Sequence, residues 1–292
     1  MDELIGVIGL GVMGGAFARH LAGAGWKVIG YDIDAGRNRE ARAAGVEIAH
    51  SADEVAQKAC DVITSLPTSR AVLDVATVIA RATAPARTVA ETSTLSLDDK
   101  LEVARILRDA GHTALDCPMS GTGAQAAVKD LVVYASGDPT AIERLKPAFT
   151  AFTRRVWDLG AYGNGSKMKF IANHLVAIHN AAAAEAMVLA MKAGLDADRV
   201  VEVIGSGAGT SRMFELRAPM MATNTYLPAT ARLAIFKKDL TVIGDFASGL
   251  ACPTPLFNLS ASLYTGALAM GRDAEDAAAV CAVLEKMAAL ER

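Results

Sequence analysis

Leu4-Ile5-Gly6-Val7-Ile8 is an apolar run that breaks at Gly9-Leu10-Gly11-Val12-Met13-Gly14 and passes into a helical pattern reaching about Ala24. The run is too short for a helix and reads as a strand buried on both faces. Gly9 suits the tight turn, Gly11 lets the backbone approach a pyrophosphate, and Gly14 permits close helix–strand packing. A helix starting here offers amide donors and a positive dipole end to phosphate oxygens. Trp26 to Tyr31 supplies the next strand, so the glycines stand in the strand–turn–helix–strand setting of a dinucleotide site. Gly9, Leu10, Gly11, Val12, Met13 and Gly14 are therefore candidate cofactor contacts. Asp32 ends the second strand, where an acidic side chain bonds the adenosine ribose. A carboxylate there repels a 2′-phosphate, which favours NAD over NADP. Arg37 and Arg39, just beyond, read as solvated helix charges. Asp34 either caps the next helix or touches cofactor.

The alternation continues. Ser51-Ala52-Asp53-Glu54 has the form of a capping box. Asp61 to Leu66 is a buried strand ending in Leu66-Pro67, and Arg87 to Thr92 is another, followed by Ser93-Thr94. Residues just past strand ends line the crevice of a doubly wound sheet, so Leu66, Pro67 and Thr94 read either as cofactor contacts or as ordinary turn residues. His112 to Cys117 leads into Pro118-Met119-Ser120-Gly121-Thr122-Gly123, whose hydroxyl, glycines and free amides suit a substrate carboxylate. Leu131 to Ala135 and Thr153 to Trp157 complete about eight strands, the last closing the sheet; Asp138-Pro139 starts a helix as N-cap and first residue.

Gly163-Asn164-Gly165-Ser166-Lys167-Met168-Lys169 opens a helical pattern of about 28 residues, roughly 42 Å long. Lys169 and Asn173 lie four apart and project from one face. A lysine and an amide so placed where two domains meet suit proton transfer to a substrate oxygen. Beyond it the patterns are helical, broken at Gly205-Ser206-Gly207, Thr223-Asn224-Thr225 and Cys252-Pro253. Phe236-Lys237-Lys238-Asp239-Leu240 is a charged cluster in an apolar segment; Lys238 either lies on a solvated helix face or reaches back across the interdomain cleft. The expected fold is α/β. A Rossmann, doubly wound, mostly parallel sheet occupies 1–162, a long interdomain helix 163–193 and an all-α domain 194–292.

Composition narrows the function. A net charge of −3 over 292 residues, without a basic or acidic block, gives no nucleic-acid surface. The four cysteines form no CxxC pair and read as thiols in a reducing cytoplasm, and no cluster of side chains calls for a metal. The acidic Met1-Asp2-Glu3 leads straight into a strand, which argues against a signal peptide. Polar interruptions at His174, Asn180 and Glu185 make the long helix a buried one, not a membrane span.

Four stretches then fall into one pattern: Val7 to Gly14, Asp116 to Thr122, Gly163 to Asn173, and Lys238-Asp239-Leu240. Together they resemble the β-hydroxyacid dehydrogenases, the family of 3-hydroxyisobutyrate dehydrogenase and tartronate semialdehyde reductase, over essentially the whole chain. The resemblance implies Lys169 as catalytic acid/base with Asn173 as its substrate-orienting neighbour. It implies Ser120, Gly121 and Thr122 around the substrate carboxylate, and Lys238 over both nicotinamide and substrate. Leu66, Pro67 and Thr94 match cofactor contacts of the family. It implies NAD(P) as cofactor, a small hydroxy acid or semialdehyde as substrate, and a homodimer or homotetramer assembled through the helical domain. One position departs: Thr122 stands where the family has glycine, adding a Cβ and a hydroxyl and disfavouring positive φ. His174 stands where many relatives carry asparagine and reads as a packed helix residue. A 6-phosphogluconate-type decarboxylase is disfavoured by chain length, an imine reductase by Lys169. A non-catalytic dinucleotide-binding protein is disfavoured by Lys169, Asn173 and Lys238 occurring together.

Overall fold

A computed structural model describes residues 4–292. The chain divides into two compact units, Met1–Lys169 and Phe170–Arg292. In the first unit, β1 (Leu4–Ile8), β2 (Lys27–Tyr31), β3 (Glu47–Ile48), β4 (Asp61–Thr64), β5 (Thr88–Glu91) and β6 (Thr113–Asp116) form one sheet in the order β3-β2-β1-β4-β5-β6. Every pairing in it is parallel. Parallel strands buried on both faces alternate their side chains between two cores. Val7 and Ile63 join Phe17, Leu21, Phe149 and Phe152 in one apolar cluster, while Ile8 and Val62 join Val55, Ile79 and Leu107 in the other. Strand order reverses direction between β1 and β4, the switch point where such sheets open a crevice.

The expected single sheet of about eight strands is corrected here. β7 (Met119–Ser120), β8 (Val132–Ala135) and β9 (Arg155–Asp158) form a separate three-stranded sheet, with β7–β8 antiparallel and β8–β9 parallel. A single bridge, Asp116 with Ser136, links the region to β6. The same antiparallel register carries on past Pro118, whose carbonyl accepts from the Tyr134 amide at 3.0 Å, into the β7–β8 pairs Met119–Val133 and Ser120–Val132; Pro118 has no N–H to return to that ladder. Strands β3 and β7 are two residues long and carry too little pattern to be read from sequence. At Ser51 the capping box is only half formed. Ser51 Oγ accepts from the Glu54 amide, but the Glu54 carboxylate accepts from the amide of His50 instead.

The second unit is helical: the long helix Asn164–Lys192 runs into it, followed by Ala197–Gly205, Arg212–Ala222, Leu233–Gly249, Pro255–Ala269 and Val280–Met287. The long helix has the length and apolarity to cross a membrane. Its middle is nevertheless a core position. Asn180 is wholly buried and donates to Tyr264 Oη at 3.0 Å and to the Ala277 carbonyl at 2.8 Å. Buried Asp276 gathers Arg217, Thr230, Ala231 and Ala278 around one carboxylate. Burial works against its charge, but Arg217 and these hydrogen bonds prevail and hold it below the usual aspartate range.

Candidate active site

The turns that leave the parallel strands at their C-terminal ends, with the first turn of the helix Val12–Gly23, carry the residues expected to contact cofactor in the first unit. Gly9 leaves β1 with φ of +89°, and a Cβ there would stand 2.2 Å from the Ser65 carbonyl oxygen at the end of β4. A Cβ on Gly14 would stand 1.9 Å from the Gly9 carbonyl oxygen. Both positions therefore exclude any other residue for packing reasons. Gly11 is different. Nothing lies within 4 Å of its ideal Cβ, so the turn leaves open space above that backbone, which fits the approach of a pyrophosphate. The helix Val12–Gly23 begins immediately after, and its N-cap Gly11 contributes no side-chain bond.

Asp32 is tied into this turn. Its Oδ2 accepts from the Leu10 amide at 2.7 Å and its Oδ1 from the Asp34 amide at 2.8 Å. Asp34 caps the following helix by accepting from Gly36, and Arg37 pairs with Glu40 at the surface. Leu66 donates its amide to Ser93 Oγ at 3.0 Å, which joins the turn after β4 to the one after β5, where Thr94 is half-buried. Pro67 is exposed.

The loop at Ser120 lies beside the glycine turn: a Cβ on Gly123 would stand 2.5 Å from Val12 Cγ1. Two expectations about this loop change. Positive φ falls on Gly121 (+138°), not on Thr122, whose φ is −103°. Threonine is therefore unstrained there, because an extended N-cap is a position that threonine favours. The loop's amides are also not all free. Thr122 and Gln125 form a full capping box, with the Thr122 amide donating to Gln125 Oε1 at 3.0 Å, and Gln125 Nε2 donating to Asp130.

The start of the long helix shows why its glycines are needed. Gly163 has φ of +92°, and a Cβ on Gly165 would stand 2.3 Å from the Tyr134 carbonyl oxygen and 2.7 Å from that of Asp116. Gly165 thus lets the helix begin directly against the ends of β6 and β8. Its amide donates to Ser136 Oγ at 3.0 Å, and the Ser166 amide donates to Asp116 Oδ2 at 2.7 Å. These satisfy first-turn donors that a helix leaves unpaired, and the helix dipole favours the carboxylate there. Lys169 follows one turn later and is 8% exposed; Asn173, 7% exposed, follows it by another turn.

Asn173 belongs to the second unit, where its Nδ2 donates to Asp239 Oδ2 at 2.9 Å. Lys238 pairs with the other oxygen of Asp239 at 3.2 Å. Asp239 thus brings together two of the residues singled out in the sequence, a role that sequence reasoning missed. Its signal was present in Lys238-Asp239-Leu240, but the partner lies 66 residues away. His174 stacks on Phe257 with ring centroids 5.1 Å apart. Among the described residues, no group of three or more His, Cys, Asp or Glu side chains is placed to hold a metal ion.

Comparison with known proteins gives the family. Residues 4–160 match the NAD binding domain of 6-phosphogluconate dehydrogenase, and residues 163–284 match the NAD-binding region of NADP-dependent 3-hydroxyisobutyrate dehydrogenase. The L-threonate dehydrogenase of Cupriavidus necator is 36% identical over 286 residues, covering 96% of this chain and 95% of that one. The chain belongs to the β-hydroxyacid dehydrogenase family. A structure of Mycobacterium tuberculosis 3-hydroxyisobutyrate dehydrogenase with L-serine is similar at a TM-score of 0.89 and 31% identity, covering 97% of this chain and 99% of that one. The Salmonella typhimurium 3-hydroxyisobutyrate dehydrogenase superposes with a TM-score of 0.85 at 33% identity, covering 97% of this chain and 100% of that one. Like its family, this β-hydroxyacid dehydrogenase is an NAD(P)-dependent oxidoreductase acting on a hydroxy acid, and the open turn at Gly11 fits the dinucleotide that this requires.

Proposed function

We propose that the chain carries out reversible hydride transfer on a small 3-hydroxy acid of the 3-hydroxyisobutyrate, glycerate or threonate type, with Lys169 as general acid/base. The observation that carries this reading is that Lys169 and Asn173, each buried, stand four residues apart on one helix, with the Asn173 amide fixed by Asp239. In oxidation, neutral Lys169 Nζ takes the hydroxyl proton while the carbinol C–H leaves as hydride; in reduction, the ammonium returns the proton to the carbonyl oxygen. Nicotinamide, when bound, accepts or supplies that hydride. Asn173 orients the reacting oxygen. Ser120, Gly121 and Thr122 hold the substrate carboxylate, and Lys238 lies over substrate and nicotinamide.

Gly9 to Gly14, Leu66, Pro67 and Thr94 are assigned to the cofactor. Asp32 makes that cofactor NAD. Anchored by the amides of Leu10 and Asp34, its carboxylate stays at the end of β2 and opposes a 2′-phosphate.

The reading is tested by following nicotinamide reduction across 3-hydroxyisobutyrate, glycerate, L-threonate and sulfolactate, each with NAD and NADP. One acid is expected to exceed the others by at least about tenfold in kcat/KM, a margin of roughly 1.4 kcal/mol in transition-state binding, and to do so with NAD. Silence across the panel with NAD bound would count against the substrate class, and a preference for NADP against the role of Asp32.

Assembly belongs to the same proposal. The second unit exposes Ile171, Leu175 and Leu189 on the long helix and Leu256 and Leu259 on Pro255–Ala269, apolar surface of the kind that a homodimer or homotetramer covers. Light scattering is expected to return twice or four times the 30.3 kDa chain mass. A monomer would refute it.

A further inference from the structure

Beneath the turns that face the crevice lies a charged group that the reaction does not use. Lys100, on the helix Leu97–Asp109, is fully buried, and so are Glu91 at the end of β5 and Asp116 at the end of β6. Lys100 Nζ stands 2.9 Å from Asp116 Oδ1 and forms an ion pair with Glu91 Oε2. Burial works against the lysine charge, but Asp116 and Glu91 outweigh it and hold the pKa above the usual lysine value.

Each carboxylate has a second task. Glu91 Oε1 accepts from the Ser93 amide at 2.8 Å, and Ser93 Oγ accepts from the Leu66 amide at 3.0 Å. Asp116 accepts from the Ser166 amide at 2.7 Å and from Ser166 Oγ at 2.8 Å. Ser166 is three residues before Lys169, so both lie along one side of the first helical turns. Tyr162, just before that helix, donates from its hydroxyl to the Lys100 carbonyl at 2.9 Å. All of these residues belong to the first unit.

A buried ion pair recovers little of its desolvation cost, and apolar side chains of similar volume frequently do as well for stability. The geometry points to a different use. We propose that Lys100 is a positioning residue, the shared counter-ion that locks the cofactor-side turns at Leu66 and Ser93 to the first turn of the helix carrying Lys169. Glu91 transmits its hold to one side and Asp116 to the other. This rests on the assignment of Lys169 as acid/base, but it predicts an effect on structure that does not.

The test is hydrogen–deuterium exchange on the full chain, comparing the parent with Lys100→Met. A second variant, Lys100→Met with Glu91→Gln and Asp116→Asn, removes all three buried charges while keeping side-chain shape. A third, Ser166→Ala, deletes one hydrogen bond at the far end of the network. Segments 65–67 and 164–169 are expected to exchange at least about tenfold faster in both Lys100 variants, with the strands β1 and β4 unchanged. Ser166→Ala should speed only segment 164–169. In the same variants kcat, measured with the best acid of the panel, should fall at least about tenfold, with KM within threefold.

Parental exchange in either segment of a folded Lys100 variant overturns the proposal. If neither Lys100 variant folds, parental exchange at 164–169 and parental kcat in Ser166→Ala overturn it, and faster exchange there supports it. If Lys169→Ala keeps parental turnover, the acid/base assignment fails on its own, and the exchange pattern still decides the role of Lys100.

Discussion

Replacing Lys169 by alanine is expected to lower kcat by roughly 10³-fold, while the dissociation constant for NAD stays within twofold of the parent. The expected split follows from placement. The proposed cofactor contacts on β-strand ends occupy Gly9 to Gly14, Asp32, Leu66, Pro67 and Thr94, and none of those turns contains Lys169. A proton carrier acts on the substrate oxygen and is felt in the transition state, so its loss appears in kcat more than in cofactor binding. Equilibrium titration with NAD, beside steady-state rates, checks both halves. A variant that lost NAD affinity in step with kcat would mean that Lys169 shapes the cofactor site instead.

Gly165→Ala should damage fold and rate together. Its Cβ would meet two backbone carbonyl oxygens, those of Tyr134 and Asp116, at 2.3 and 2.7 Å, and neither can turn aside as a side chain would. The helix start must therefore lift from the ends of β6 and β8, straining the bonds from Gly165 to Ser136 and from Ser166 to Asp116. Overpacking of this kind costs about 1–3 kcal/mol, read as a lower urea midpoint. Because Lys169 is four residues further on, kcat of the folded fraction should also drop at least about tenfold. Gly249→Ala, with nothing within 4 Å of its Cβ, serves as the control and should leave both unchanged. A parental midpoint and rate in Gly165→Ala would remove the packing explanation for this glycine.

Much of the first unit was legible because its signals are local. A five-residue apolar strand, three spaced glycines and a second strand specify one unit, and the structure places Gly9 and Gly14 against backbone where only glycine fits. The long helix was legible for the same reason; its pattern gives about 28 residues within 163–193, and the helix spans Asn164–Lys192. What escaped depends on partners far away in the chain. The split into two sheets turns on Asp116 and Ser136, which meet in one bridge across 20 positions. The hold of Asp239 on Asn173, and of Lys100 on Glu91 and Asp116, could not be read from spacing, since a lone buried charge looks in sequence like any surface lysine or aspartate. Thr122 was misjudged for a different reason. Its strain was inferred for a φ that the chain assigns to Gly121, and Gln125, three residues on, was not read as its capping partner.

The most direct measurement is chemical rescue of Lys169→Ala by a small primary amine. Turnover is followed with NAD and the best hydroxy acid of the panel while methylamine is titrated. If Lys169 moves the proton, the variant should start near zero and gain rate in proportion to free amine, while the parent enzyme does not respond. An amine-free rate in the variant within tenfold of the parent would contradict the assignment of Lys169 as the acid/base of this reaction.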